Sequence, residues 1–170
     1  MELTVPQGEG LKLVDLDGDG RKDVMVNQVW YRNPGSFGDP SLWQAYTNCP
    51  SWNWPHAGPE HMIAEVIGPM SLGVADMDRD GDLDVVVGEH NLDHPEAARL
   101  IWFENVKGDG SRWAMHMIHT GDEHHNGAHV VDIDNDSDLG IVSIGWGHGR
   151  VVICENLSTP NLNHVRQVSS

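Results

Sequence analysis

Basic residues are scarce in this chain: Lys and Arg number 10 against 26 Asp and Glu, a formal net charge of -16 over 170 residues. No basic patch is available to neutralise phosphates, which argues against nucleic acid as a partner and against an anionic membrane surface. No apolar run approaches the roughly 20 residues that cross a bilayer, so no membrane insertion is expected. Two cysteines, Cys49 and Cys154, are too few for a disulfide scaffold and lack metal-ligand spacing. They admit one bridge or two free thiols. No stretch sustains a helical period. A Gly-rich phosphate loop, a nucleophile elbow and a Cys-His pairing are also missing, and Asn156-Leu157-Ser158 is only a weak glycosylation match. The start, Met1-Glu2-Leu3-Thr4-Val5-Pro6, has neither a basic leader nor an apolar stretch, so no signal peptide is read in this chain.

Acidity, by contrast, is abundant and local. Half of the acidic residues lie in three nonapeptides, starting at Asp15, Asp76 and Asp132 and spaced about 60 residues apart, a period suited to four-stranded repeats. Carboxylates on every second residue repel one another along a strand, but converge on a hard cation if the loop curls. Oxygens from positions 1, 3, 5 and 9, with the backbone carbonyl of position 7, suit calcium. A small residue at position 6 permits the curl. The first loop thus offers Asp15, Asp17, Asp19 and Asp23 with the carbonyl of Arg21, and the second offers Asp76, Asp78, Asp80 and Asp84 with the carbonyl of Asp82. The third, Asp132, Asp134, Asp136 and Asp138, has Ser137 for the turn glycine and Gly140 for the last carboxylate, so its site is expected to be weaker or absent. Asp and Gly also dominate plain solvated turns, but three copies in register favour metal.

The flanks repeat as well. A short apolar strand precedes each loop (11–14, 72–75, 128–131), a β-branched run follows it (24–26, 85–87, 141–144), and a third strand ends each time in asparagine, at Asn33, Asn105 and Asn156. A fourth segment follows around 62–67, 113–118 and 164–168. In the first repeat the register is ambiguous, because Leu42-Trp43-Gln44-Ala45-Tyr46 could itself be the fourth strand, leaving a loop with Trp52, Trp54 and His56 to follow it. These are β patterns by composition and length. Four antiparallel strands make a blade, and several blades around an axis make a β-propeller.

Apolar strand, D-x-D-x-D-G-x-x-D, apolar strand, then an aromatic run ending in Asn: this order resembles the FG-GAP or VCBS repeat family, the calcium-binding propeller blades of integrin heads and many secreted bacterial proteins. The resemblance implies an all-β propeller with one single (half-)domain over 1–170, in three blades at about 9–68, 70–121 and 126–169. It further implies structural Ca2+ in the loop joining the first two strands of a blade, at two sites and doubtfully a third, and an extracellular, cell-surface or periplasmic setting. That setting conflicts with the missing leader, which is reconciled if a leader was removed or the chain is a piece of something longer. Propellers close with four to eight blades. Three leave two open flanks, to be covered by a second copy in a six-bladed homodimer or by missing blades of a larger propeller.

Successive turns of an up-down blade alternate between its ends, so the loops opposite the Asp loops form a second face, and there the histidines gather. His90 and His94, then His119, His124 and His125, then His148 belong to it, out of 11 histidines in the chain. With Trp146, Glu89, Asp122 and Asn126 nearby, this face suits a transition metal, acid-base chemistry or the hydroxyls and ring faces of a glycan. The reading for function is a calcium-binding repeat module for carbohydrate or protein, leaning away from catalysis. The alternative is a carbohydrate-active enzyme of lyase or dehydratase type, with His90, His124, His125 and His148 as the catalytic candidates.

Overall fold

The chain alternates β-branched and aromatic residues with Gly, Asp and Asn turns, and the computed structural model turns that pattern into three four-stranded antiparallel sheets, each in simple up-down order. It describes residues 1–5, 10–26, 29–47, 69–157 and 165–168. The first sheet holds β1 (Leu11–Val14), β2 (Asp23–Val26), β3 (Val29–Arg32) and β4 (Gln44–Thr47). The second holds β5 (Pro69–Ala75), β6 (Asp84–Glu89), β7 (Arg99–Asn105) and β8 (Trp113–Thr120), and the third β9 (His129–Val131), β10 (Gly140–Ile144), β11 (Val151–Asn156) and β12 (Val165–Val168). The fold is all-β: three propeller blades in an open arc.

The register ambiguity of the first blade is settled by β4. Trp30 pairs with Tyr46 across β3 and β4 and their rings stack at 4.6 Å, as Trp102 pairs with His116 across β7 and β8 and stacks at 4.2 Å. Gln44–Thr47 is therefore the fourth strand of that blade. The alternative segment 62–67, together with Cys49, Trp52, Trp54, His56, Ser158 and His164, lies outside the described residues.

Side chains alternate sides along a strand, so a sheet with apolar residues at every position must be covered on both faces. The middle blade is built that way, with Val85, Val86 and Val87 all fully buried. Val85 and Val87 join Ile101 and Phe103 in packing against Leu16, Met25 and Trp30 of the first blade. Val86 and Trp102 face the other way, onto Ile141, Val152 and Cys154 of the third. Burial there pushes the Cys154 thiol up to about 11. The inner strands β1, β5 and β9 stand side by side along the axis.

Among the described residues, the two end faces lack such a neighbouring blade. On the first blade, among the described residues, Leu3 packs on Val29, Tyr31 and Trp43 from outside the sheet, with the Tyr31 hydroxyl donating to the Thr4 carbonyl at 3.1 Å, while Leu11 and Leu13 on β1 remain 63% exposed. On the third, Val151 is 57% exposed and Ile133 44%, whereas their counterparts in the middle blade, Leu100 and Met77, are 0% and 6%.

A polar tie also crosses each blade junction. The Asn105 amide donates to the Leu16 carbonyl of the first blade at 3.1 Å, and the Asn156 amide donates to the Met77 carbonyl of the second at 3.2 Å. Asn105 Oδ1 meanwhile accepts from Gly110 N–H at 3.0 Å. This explains the asparagines that end the third strands of the second and third blades. Asn105→Ala strands buried partners on both sides and is expected to lower unfolding free energy by about 1–3 kcal/mol in a urea titration. Asn33→Ala, whose amide bonds the Lys22 carbonyl of its own blade, is expected to lower it less.

Candidate functional site

Each Asp nonapeptide connects the first and second strands of its blade, so all three sit at one end of the arc. Their curl is the same in all three copies. Position 4 is left-handed at Gly18, Arg79 and Asn135, with φ of 70, 64 and 62°, and so is position 6 at Gly20, Gly81 and Ser137, with φ of 85, 100 and 75°. The position 1 carboxylate accepts the position 6 N–H every time: Asp15 from Gly20 at 2.9 Å, Asp76 from Gly81 at 3.0 Å and Asp132 from Ser137 at 3.1 Å. Ser137 therefore does not prevent the curl, although a left-handed serine carries strain that glycine avoids. The second departure in that loop is more consequential. A Cβ on Gly140 would meet the Cys154 carbonyl oxygen at 2.9 Å, so an aspartate there has no room without a backbone shift.

Ninth-position carboxylates behave as structural ties. Asp23 accepts from Leu16 N–H at 3.1 Å and Asn33 N–H at 2.8 Å, and Asp84 accepts from Met77 N–H at 3.0 Å and Asn105 N–H at 2.8 Å. Burial raises both acids, pushing Asp84 up to about 7. Convergent oxygens, all within 4.8 Å, come from Asp15, Asp17 and Asp19 in the first loop, from Asp76, Asp78 and Asp84 in the second, and from Asp132, Asp134 and Asp136 in the third.

The remaining members of the expected sets are engaged elsewhere through their side chains. Asp80 accepts from the Asp82 N–H at 3.0 Å, the Asp82 carboxylate packs against Gly108, and Asp138 pairs with Arg79 of the neighbouring blade. The Arg21 guanidinium meets Asp19 and the Asn33 carbonyl. Two oxygens, Asp15 Oδ1 and Asp132 Oδ1, are buried with no hydrogen-bond partner among the described residues, and Asp17 Oδ2 faces Arg32 Nε at 2.5 Å. Unpartnered carboxylate oxygens in an all-oxygen set suit a hard cation such as Ca2+.

At the opposite end, the loop after β6, the link from β8 to β9 and the loop after β10 come together. Their centre is Glu123, fully buried. Its Oε1 lies 2.5 Å from His90 Nδ1 and 3.8 Å from His125 Nδ1, and those two ring nitrogens are 2.9 Å apart. Its Oε2 accepts the backbone N–H groups of Trp146 and, at 3.2 Å, Gly147, while its carbonyl oxygen is 3.0 Å from His148 Nε2. Burial raises the Glu123 pKa, but the His90 contact and the two backbone donors outweigh it and hold the acid below its usual value. Gly145 makes the approach possible, since a Cβ there would stand 2.2 Å from the Glu123 carbonyl oxygen. Trp146 is 68% exposed beside His125, with ring centroids 5.6 Å apart. Below this cluster, a solvent-open cleft runs along the inner strands past Leu11, Leu72, His125 and His129.

Of the four histidine candidates, His90, His125 and His148 thus surround Glu123. His124 is fully buried, its Nδ1 2.8 Å from the Ser143 hydroxyl, and burial pulls its pKa down to about 4, which keeps it neutral. The polar companions read from sequence are largely occupied: Arg99 clamps Glu89 through two nitrogens, at 2.8 and 2.5 Å, and Arg150 and His119 hold Asp122. Sequence reasoning passed over Glu123. The available signal was only proximity in the chain: Glu123 and His125 are two residues apart in an irregular link, while His124 between them turns to Ser143.

Fold and loops together define an all-β repeat protein of propeller blades carrying an Asp loop between the first two strands of each blade. Residues 76–143, from the second Asp loop to β10, match the family model of the FG-GAP-like repeat. No curated protein and no solved structure matches the chain.

Proposed function

We propose that this chain is a calcium-braced propeller module that binds carbohydrate at the end opposite its Asp loops. The observation that carries this reading is Trp146, two-thirds exposed on a loop whose backbone is pinned by a buried glutamate. An apolar ring presented in a fixed pose, beside imidazoles and a cleft, suits the faces and hydroxyls of a sugar. Ca2+ supplies rigidity at the other end, holding curled loops whose carboxylates otherwise repel one another. The extracellular or periplasmic setting that the resemblance implies accords with weak, millimolar-range calcium sites.

The end faces extend this reading to assembly. Leu11 and Leu13 occupy the positions that Leu72 and Val74 use to pack on a preceding blade, and Ile133 and Val151 those that Met77 and Leu100 use to pack on a following one. A second copy offers both complements at once, so two arcs of three blades close a six-bladed ring with the same contact made twice. Asn33 of each copy then takes up the junction tie to the other copy's Ile133 carbonyl, as Asn105 and Asn156 do within the chain.

Three outcomes are expected. Adding millimolar Ca2+ raises the melting temperature by several degrees, and Asp15→Asn combined with Asp76→Asn removes most of that rise in differential scanning calorimetry; an unchanged melting temperature in the wild type would refute calcium bracing. On a glycan array in Ca2+, Trp146→Ala lowers binding about tenfold, the size of one aromatic contact, without changing the melting temperature. Absence of any glycan signal, or one indifferent to Trp146→Ala, defeats the carbohydrate reading. Light scattering at micromolar concentration gives a dimer mass for the wild type and a monomer for Leu13→Asp; a wild-type monomer rules out ring closure by a second copy.

A further inference from the structure

The contacts around Glu123 cannot all be separate, linear hydrogen bonds. His90 Nδ1 faces Glu123 Oε1 at 2.5 Å and His125 Nδ1 at 2.9 Å. If His90 Nδ1 carries a proton for Glu123, its lone pair is not available to accept from His125. If instead it is bare, its lone pair confronts the carboxylate at a distance that only a proton or a cation makes tolerable. Each ring nitrogen has one position to use, so no tautomer gives both short contacts a hydrogen bond of its own; at best one His90 N–H is split between two acceptors that lie 3.8 Å apart.

A cation resolves the conflict. One carboxylate oxygen and two ring nitrogens lie within 4.8 Å of one another, separated by 2.5, 2.9 and 3.8 Å. Ligand atoms around a tetrahedral ion with bonds of about 2.0–2.1 Å are about 3.3 Å apart, a value these separations bracket. Mixed imidazole and carboxylate donors select a borderline divalent metal over calcium. We propose that His90, Glu123 and His125 form a three-ligand site for a divalent transition cation of the zinc class, with its fourth position open to solvent.

The surroundings are those of a built site. The second oxygen of Glu123 is fixed by the Trp146 and Gly147 N–H groups, and its backbone carbonyl by His148, which sets the carboxylate's direction in advance. Such outer bonds orient ligands and are costly to lose. The carboxylate itself is fully buried, while the His90 and His125 side chains keep 24% and 12% exposure, so the site can be reached from solvent. The ligands come from the loop after β6 and the β8–β9 link, so the metal would clamp the second blade to the start of the third. This site lies at the other end of the blades from the Asp loops, beside Trp146, and does not depend on calcium binding at those loops.

Untagged protein, stripped with chelator and held in saturating Ca2+ so that the Asp loops are filled, is titrated with Co2+ and followed by visible absorption. The expected result is one Co2+ per chain with the intense bands of four-coordinate cobalt, displaced by Zn2+. His125→Ala and Glu123→Gln are expected to weaken binding by at least the roughly 10–100-fold that losing even an outer-shell partner costs. His94→Ala, at an exposed histidine paired with Glu96, is expected to leave it unchanged. If Glu123→Gln does not fold, His125→Ala, judged folded by its circular dichroism, decides alone. A wild type that shows no four-coordinate spectrum, or a folded His125→Ala that binds Co2+ as tightly as wild type, overturns the site. The Ca2+-dependent melting shift is read separately, so failure here leaves the calcium reading standing and failure there leaves this one.

Discussion

A sheet that is apolar on both faces cannot stand in water, and everything else in this molecule follows from how each blade covers its neighbour. Val85, Val86 and Val87 are buried because the first blade lies on one side of them and the third on the other. Burial of this kind is worth about 25 cal/mol per Å2 of apolar surface, far more than any single polar tie across a junction. The ties matter for a different reason. Asn105 and Asn156 reach one particular carbonyl of the preceding blade and so fix the rotation of one blade on the next, which apolar contact leaves loose.

That fixed rotation gives the arc two chemically distinct ends. At one, carboxylates crowd together because a curled loop brings alternate side chains to the same point, and the raised Asp84 shows burial of an acid that protein donors only partly offset. At the other, the blade junction itself makes the site. His90 belongs to the second blade, Trp146 to the third, and Glu123 to the link between them. A shift of either blade would open the 2.5 Å contact between His90 and Glu123. Order in the polar cluster is thus borrowed from the apolar junction beneath it.

Much of the blade pattern was legible in the sequence because it is local. The Asp spacing, the β-branched runs and the terminal asparagines are features of ten to twenty residues whose geometry repeats wherever they occur. The ninth-position aspartates were legible only by position: their bonds to Asn33 and Asn105 show carboxylates spent on holding β2 to β3 and β6 to β7. Position 4 of the loop was missed, since Arg79 and Asn135 hold a left-handed backbone that their side chains do not announce. The first blade offers two segments for its fourth strand, and it is the pairing of Trp30 with Tyr46 that selects Gln44–Thr47.

By itself the sequence determined the all-β class, the number of Asp loops, their shared end of the blades and the gathering of histidines at the other, because strand periodicity and turn chemistry act over short distances. Which histidines meet was decided by tertiary structure alone. His124 and His125 are neighbours in the chain, yet one is sealed against Ser143 and the other reaches Glu123 and His90. The difference comes from which side of the link each occupies and from a glycine at 145 that lets Glu123 approach, and both depend on how the second and third blades are packed.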